Sequence, residues 1–188
     1  MSVFFTSDLH LYHKNVITFC NRPWKNEVDM NKGLLQNWNS KVGQDDTIYI
    51  LGDVFFCGMT EAINFIQRLN GQKLLVYGNH DKVIRNNVRL QQEFEILPEL
   101  HQTYIEGVHV SMSHYPLLSW NKAHHGAFML HGHVHSSKTT DGRVRRYDVG
   151  VDANNYAPVA WEEIKRVLEK IEPRDGDPTR SARGAKAD

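Results

Sequence analysis

Histidine, aspartate and asparagine side chains stand at five predicted strand ends of this sequence, and these residue types bind divalent metal ions. The clusters are Asp8-Leu9-His10, Gly52-Asp53, Gly78-Asn79-His80-Asp81, His114 and Gly132-His133-Val134-His135. Singly, each has an ordinary interpretation, because Gly-Asn and Gly-Asp are common turn dipeptides. Together they offer nitrogen and oxygen donors without a thiol, which suits a hard-to-borderline divalent metal. The supply exceeds the needs of one ion and therefore predicts two, bridged by a carboxylate.

Apolar runs before these clusters predict the strands that would position them. Residues 47–51 form a run typical of a strand buried on both faces, which delivers Asp53 to the carboxyl edge of a sheet. Similar runs at 3–5 and 73–77 precede Asp8 and Asn79. Helices are predicted between them over about 15–20, about 29–42, from an N-cap at Thr60, and over about 82–94. This alternation predicts a parallel α/β sheet.

The second half of the chain has a different pattern. Residues 103–106 and 108–112 alternate around Gly107 and predict a hairpin, followed by strands at 127–130 and 145–151. Trp161, Ile164, Leu168 and Ile171 mark a last amphipathic helix. Residues 173–188 carry proline, glycine and charge without an apolar stripe, so we expect one domain over 1–172 and a disordered tail over 173–188.

Composition excludes several classes of protein. The 188 residues contain 22 basic and 22 acidic side chains, so a strongly basic footprint for a long polyanion is absent. Cys20 and Cys57 lack a Cys-x-x-Cys spacing, which favours a reducing compartment over a disulfide framework. The first residues lack the features of a signal peptide, and no stretch approaches the roughly 20 apolar residues of a membrane span. We therefore expect a cytoplasmic protein without a membrane partner.

The five clusters, in this order, resemble the calcineurin-like metallophosphoesterase family. Its pattern is Asp-x-His, Gly-Asp, Gly-Asn-His-Asp/Glu, His and Gly-His-x-His, and the resemblance covers about residues 3–135. It implies an α/β fold, a four-layer α/β/β/α sandwich of two mixed sheets flanked by helices. It also implies a ligand set: Asp8, His10 and His135 for one ion, Asn79, His114 and His133 for the second, and Asp53 as the bridge.

The resemblance implies a mechanism for cleaving a phosphate ester. Two cations about 3.5–4 Å apart lower the pKa of a bridging water, and the resulting hydroxide attacks phosphorus in line. His80 is placed to protonate the departing oxygen, and Asp81 would orient His80 as a triad carboxylate does. We expect Mn²⁺, while Fe, Ni²⁺, Co²⁺ and Zn²⁺ suit the same donors.

Other polar residues have two open interpretations each. His13 either contacts the substrate phosphate or has a solvent-facing or helix-capping role. Arg22 is either a phosphate clamp or a surface arginine. The basic cluster Arg143, Arg145 and Arg146 either helps to hold a substrate or forms a solvated strand face. His124, His125 and His131 fall outside the family pattern.

The loop after Gly52-Asp53 carries information on the substrate class. Protein phosphatases and the diadenosine tetraphosphatase-like group have an arginine there, whereas this chain has Val54-Phe55-Phe56. They also place Gly-Gly after the isolated histidine, where this chain has Tyr115-Pro116. These differences favour a phosphodiester: a nucleotide, a cyclic nucleotide or a short nucleic-acid end. A phosphomonoesterase, a nuclease of the same family and a non-catalytic metal-binding scaffold are the alternatives, and His80 argues against the last.

Overall fold

Two mixed sheets form the centre of the computed structural model of the protein, which describes residues 1–174 and 176. The first sheet has the strand order β4-β3-β2-β1-β9, in which β9 alone is antiparallel to its neighbour. The second has the order β5-β6-β7-β8, an antiparallel hairpin extended by two parallel strands. The strands are β1 (Val3–Thr6), β2 (Thr47–Ile50), β3 (Gln72–Leu75), β4 (Glu95–Ile96), β5 (Leu100–Ile105), β6 (Val108–Ser113), β7 (Phe128–His131), β8 (Arg146–Asp148) and β9 (Val159–Ala160).

Parallel register brings the predicted clusters to one edge. Thr6 of β1 lies beside Ile50 of β2, and Ile50 lies beside Leu75 of β3. The loops after these strands therefore emerge together at the carboxyl edge of the first sheet. A bridge between Ser7 and Gly150 joins this edge to the chain that leaves the second sheet.

The helices follow the predicted order with local differences. They are α1 (Lys14–Phe19), α2 (Glu27–Lys41), α3 (Met59–Ile66), α4 (Lys82–Arg85), α5 (Val88–Gln91) and α6 (Trp161–Leu168). The N-cap of α3 is Gly58, so the prediction of Thr60 as N-cap was wrong by two residues. The predicted helix over 82–94 is also wrong, because Asn87 is extended and its side chain bonds to the carbonyl of Val83 at 2.6 Å. Such side-chain bonds compete with the helix ladder.

Three hydrophobic cores hold the layers together. The first sheet packs α1 to α5 on one face through a core that includes Leu34, Ile48 and Ile66. The second core lies between the two sheets and extends to α6, which contributes Trp161. The prediction of an α/β fold with two mixed sheets flanked by helices is confirmed. In the part of the chain that the structure describes, the outer face of the second sheet is covered by a 3-10 turn (Ala123–His125) and loops.

No helix within the described residues is long and apolar enough to cross a membrane. The domain boundary at residue 172 and the disordered tail stay predictions, because most of residues 173–188 lies outside the described part of the chain.

Candidate metal centre

Left-handed backbone conformation marks five of the seven predicted metal ligands. Their φ angles lie between 47° and 71°, a region that L-residues enter rarely, although aspartate and histidine enter it more often than most. Each such residue turns the chain sharply where a strand has ended, so that its side chain enters the shared edge. The five are Asp8, His10, Asp53, His133 and His135.

Two glycines let the central loops approach each other closely. Gly52 has a φ of 91°, and a Cβ added there would collide with the backbone of Gly78. A Cβ added at Gly78 would collide with the Asp53 carboxylate. These two positions therefore require glycine, because the loops that carry Asp53 and Asn79 touch backbone to backbone.

One group of converging side chains consists of Asp8, His10 and His135. Their ligand atoms all lie within 4.8 Å of one another. His10 Nε2 is 4.0 Å from Asp8 Oδ1 and 3.6 Å from Asp53 Oδ2, and His135 Nε2 is 3.9 Å from Asp8 Oδ1. Asp8 Oδ1 and His10 Nε2 are buried and have no hydrogen-bond partner among the described residues. Buried polar atoms without partners are rare, and a cation between these atoms would satisfy both.

A second group of side chains shares Asp53 with the first. His114 Nε2 lies 3.5 Å from Asp53 Oδ2 and 2.9 Å from Asn79 Oδ1. The His133 ring lies beside His114, with 5.0 Å between ring centroids. Asp53 Oδ2 thus approaches a histidine nitrogen of each group. The arrangement supports the predicted bridge, and the ligand assignment itself stays a prediction.

Hydrogen bonds orient two of the histidines. His114 Nδ1 donates to the carbonyl of Leu51 at 2.7 Å, and His135 Nδ1 donates to Asp152 Oδ2 at 2.8 Å. In the neutral form of each ring the acceptor fixes the proton on Nδ1, so that the lone pair is on Nε2, which faces the carboxylates. Metal-binding histidines are generally oriented by such acceptors.

Burial controls the electrostatics of the group around Asp8. Burial, with the nearby charges of His135 and Arg22, lowers the pKa of His10 to about 2, so its imidazole is neutral. Burial also raises the pKa of the Asp8 carboxyl. Burial disfavours charge on His135 as well, but the hydrogen bond to Asp152 and the charge of Asp8 outweigh it and raise the pKa of His135. A divalent cation would offset the burial of these carboxylates.

The Arg22 side chain binds Asp152 and the backbone of the loop after β1, and it has no free donor directed at a substrate. Its Nε and Nη2 donate to the two oxygens of Asp152 at 2.8 and 2.9 Å. Nη2 also donates to the carbonyl of Asp8 at 2.7 Å, and Nη1 donates to the carbonyl of Leu9 at 2.9 Å. The side chain is buried, with 4% of the residue exposed. Both sequence interpretations of Arg22, as a phosphate clamp and as a surface arginine, were therefore wrong.

Sequence reasoning missed Asp152, which links Arg22 to His135. A position directly after the predicted strand at 145–151 was the available signal, since the other clusters come after strands in the same way. Cys20 also lies near Asp152 and His135. This third group is a poor metal site, because both Asp152 oxygens already bind Arg22 or His135.

Replacing Asp152 by asparagine should weaken metal binding about 10–100-fold, the usual effect of losing an acceptor behind a histidine ligand. Asparagine keeps the volume but removes the negative charge that raises the basicity of His135. Isothermal titration of the metal-free protein with Mn²⁺ measures the effect. Asp46→Asn serves as the matched control, because the Asp46 carboxylate lies outside the site and accepts hydrogen bonds from the backbone nitrogens of Ser2 and Gly43. Equal affinity of the Asp152 variant and the wild type would contradict the role of Asp152.

Metal affinity should fall on acidification because of His135. Its raised pKa means that the protonated ring stabilises the metal-free fold below the unfolded-state pKa of about 6.5 and that this contribution is lost as the pH rises through the folded value. Metal binding requires the neutral ring of His135. At pH values below the pKa of His135 in the folded protein, the metal affinity should therefore drop about tenfold per pH unit. His10, with a pKa of about 2, adds no proton over this range. Titrations between about pH 8 and about pH 5 measure the slope, and a flat profile would contradict this prediction.

His80 lies at the mouth of the metal centre. Its ring is exposed, and its centroid is 5.8 Å from that of His10. Its backbone N–H donates to Asp53 Oδ1 at 2.8 Å, which fixes its position relative to the predicted bridge. The location is compatible with proton donation to a departing oxygen, and this role stays a prediction.

Asp81 organises backbone instead of orienting His80. Its Oδ2 accepts hydrogen bonds from the N–H groups of Asp53 and Gly78 at 2.9 and 2.7 Å, and its Oδ1 accepts from Val54 at 2.9 Å. The side chain is fully buried beneath these loops. The predicted triad-like contact with the His80 ring was wrong, because both carboxylate oxygens already hold the loop after β2.

Phe56 lies in the loop after Asp53 and borders the metal centre. Its ring stacks on His13 with 3.9 Å between centroids and an angle of 11°. It also lies 4.9 Å from the rings of His10 and His80. His13 Nδ1 is 3.1 Å from His10 Nδ1, so His13 lies near the first group of side chains. The centre therefore has an apolar wall on this side, and contact of His13 with substrate stays a prediction.

Comparisons with known proteins agree with this geometry. A family model described as the calcineurin-like phosphoesterase superfamily domain matches residues 1–150. An uncharacterized protein of Methanocaldococcus jannaschii is 30% identical over 175 residues, covering 89% of this chain and 92% of the relative. The gene 66 protein of Mycobacterium phage D29 is 29% identical over 199 residues, and the match covers 91% of this chain and 98% of the phage protein.

A solved structure has a similar fold. It is a protein of unknown function from Aquifex aeolicus, with a TM-score of 0.71 and 25% sequence identity. The match covers 88% of this chain and 98% of that chain. The similarity therefore extends over nearly the whole of both chains.

Proposed function

The chain belongs to the calcineurin-like phosphoesterase superfamily, and we propose that it is a hydrolase that cleaves phosphodiesters with two divalent cations. The observation that carries the proposal is the position of Asp53 Oδ2, 3.6 Å from His10 Nε2 and 3.5 Å from His114 Nε2. One carboxylate oxygen between two sets of nitrogen and oxygen donors suits a pair of cations. The residues that would hold them are Asp8, His10, Asp53, Asn79, His114, His133 and His135.

The residues of the chain divide the work of the reaction. Two cations held by these residues would supply Lewis acidity and an activated water, the general contribution of two-metal sites. Leu51 and Asp152 hold His114 and His135 through Nδ1, so Nε2 of each ring already faces the carboxylates and its orientation requires no rearrangement. His80 donates a proton to the departing ester oxygen. The Phe56 ring stacks on His10 and forms an apolar boundary of the site on that side.

Arg22 makes its hydrogen bonds away from the metal centre, and this supports a phosphodiester substrate over a phosphomonoester. A dianionic monoester is commonly held by bidentate arginine. Arg22 donates its hydrogen bonds to Asp152 and to backbone carbonyls, and the loop after Asp53 offers Phe56 instead of a cation. A diester carries one negative charge and needs less compensation. The proposed substrates are nucleotides, cyclic nucleotides and short nucleic-acid ends.

The purified protein with Mn²⁺ should cleave bis(p-nitrophenyl) phosphate with a kcat/KM roughly tenfold or more above that for p-nitrophenyl phosphate, a difference of about 1.4 kcal/mol in transition-state stabilisation. A chelator should abolish turnover, and Mn²⁺, Fe, Ni²⁺, Co²⁺ or Zn²⁺ added back should restore it to different extents. Preference for the monoester would contradict the substrate class. Failure to turn over any ester with any of these metals would favour the non-catalytic scaffold.

Free thiols support a reducing, cytoplasmic compartment for this activity. Cys20 and Cys57 are both unpaired. Disulfides are rare in such compartments, whereas secreted proteins of modest size commonly carry them.

A further inference from the structure

A cavity of about 220 Å³ lies next to the metal centre and has no part in the proposed mechanism. Pro116 and Val134 form apolar parts of its wall, and Asp148 and Arg146 line it as well. Val134 stands between the predicted ligands His133 and His135. The loop that carries these two predicted ligands therefore also forms part of the cavity wall.

The second sheet explains why the cavity exists. His131 of β7 and Asp148 of β8 are register neighbours, so both side chains project from one face of the sheet. Met129, two residues before His131, packs in the core on the outer face. No long helix covers this face within the described residues, and the loop after His135 crosses it instead. The N–H of Asp148 donates to the carbonyl of Thr139 in that loop at 2.7 Å, which holds the loop against the edge of β8 beside the cavity.

Asp148 has an acceptor atom that nothing in the described chain uses. Only 3% of the residue is exposed, and its Oδ1 accepts the N–H of Gly150 at 2.8 Å. Its Oδ2 is buried without a hydrogen-bond partner among the described residues. Burial raises the pKa of the Asp148 carboxyl to about 7, and the N–H groups of Gly150 and Ser136 have a smaller, opposite effect. A buried carboxylate oxygen in this state calls for a hydrogen-bond donor from outside the chain.

Charged ligands do not suit this cavity. An anion would approach the buried Asp148 carboxylate. Of the two basic side chains in the lining, Arg146 already donates to the carbonyl of Leu117 at 2.9 Å and to Asp141 at 3.3 Å, and Lys138 is exposed to solvent. A divalent cation requires several converging ligands, and in the described residues such groups of three lie elsewhere. The cavity therefore fits a neutral group that donates a hydrogen bond.

We propose that the cavity binds the nucleobase of a nucleotide diester, with a ring or amino N–H of the base donating to Asp148 Oδ2. The volume of 220 Å³ is below the roughly 300–1,000 Å³ of sites for drug-sized ligands, so it suits one planar group in contact with the apolar lining. Each of the common nucleobases offers an N–H on its pairing edge. This inference rests on the proposed diesterase function and specifies which diesters are bound.

Substrate discrimination by Asp148→Asn tests the inference. Asparagine keeps the Oδ1 acceptor for Gly150 but replaces the free acceptor by a donor. For the p-nitrophenyl ester of thymidine 5′-phosphate, kcat/KM should fall roughly tenfold or more, the usual range for losing a hydrogen bond to a charged group. For bis(p-nitrophenyl) phosphate, which has no N–H, kcat/KM should be nearly unchanged. Equal losses for both substrates, or no loss for either, would overturn the inference.

Asp141→Asn is the matched control, since Asp141 lines the same cavity but pairs with Arg146. It should leave the ratio of the two kcat/KM values close to that of the wild type. A change in this ratio as large as that of Asp148→Asn would show a general effect of cavity charge and would overturn the assignment to Asp148.

Nucleoside binding without metal separates this inference from the proposed function. Thymidine should shift the NMR resonances of Val134 and Thr139 in the metal-free protein, whereas 3-methylthymidine, which lacks the ring N–H, should not. Asp148-dependent binding of thymidine in a protein that fails to cleave diesters would support the cavity assignment while contradicting the function. Diester turnover without thymidine binding would overturn the cavity assignment alone.

Discussion

Replacing Asp53 by asparagine should remove both cations together and lower kcat by more than roughly 100-fold, the upper end for residues that only support a ligand. Asp53 Oδ2 is the oxygen that approaches both His10 Nε2 and His114 Nε2. The asparagine amide has one weaker oxygen ligand and no negative charge. Both metal sites would therefore lose the ligand that they share. The two ions should therefore leave as a unit.

Metal content per chain, measured by mass spectrometry after dialysis, tests this prediction alongside kcat. Asp45→Asn is a suitable control, because Asp45 is exposed shortly before β2. Thermal unfolding of the metal-free proteins shows whether the variant remains folded. A variant that loses one ion and keeps the other would contradict the role of Asp53 as a bridge.

Substitution of His80 by alanine should lower kcat about 10²–10⁴-fold while both cations stay bound. The contact of this residue with the centre runs through its backbone N–H to Asp53 Oδ1, which alanine retains. Only the ring, and with it the proton donor for the leaving oxygen, is removed. His101→Ala, a change on β5 away from the centre, should leave kcat unchanged.

The leaving group sharpens the test of His80. A nitrophenolate departs readily without a proton, whereas a nucleoside alkoxide requires one. His80→Ala should therefore reduce cleavage of a dinucleotide more than cleavage of bis(p-nitrophenyl) phosphate. Equal losses for both substrates would assign His80 to charge stabilisation, and unchanged kcat for both would remove it from the reaction.

Site residues that directly follow apolar strands could be predicted from the sequence. Residues whose partners are distant in the chain could not. Asp53 comes shortly after β2, and the run 47–51 with its glycine was enough to place it at a sheet edge. Asp152 was missed because its two partners are distant in sequence: Arg22 is 130 residues away and His135 is 17. Asp148 was missed for a related reason, since its free oxygen results from the way a sheet face is covered.

Local structure was predicted where one physical signal dominated. Strands β1, β2 and β3 came from buried apolar runs, and the hairpin of β5 and β6 from alternation around Gly107. Strands β4 and β9 have two residues each and no periodicity to detect. Helices α4 and α5 were merged in the prediction because the bond of the Asn87 side chain to Val83 depends on geometry that spacing does not reveal.

If the five predicted ligands bind metal, their left-handed backbone would link metal supply to the lifetime of the protein. Each such residue costs about 1–2 kcal/mol relative to a right-handed one, and the cores must offset this before any ion arrives. Ions that bind only the folded chain return stability in proportion to RT ln(1 + [L]/Kd). Under metal starvation the chain would lose this contribution and unfold more often, and cellular proteases remove unfolded chains. Its abundance, as well as its catalysis, would then follow the metal content of the cell.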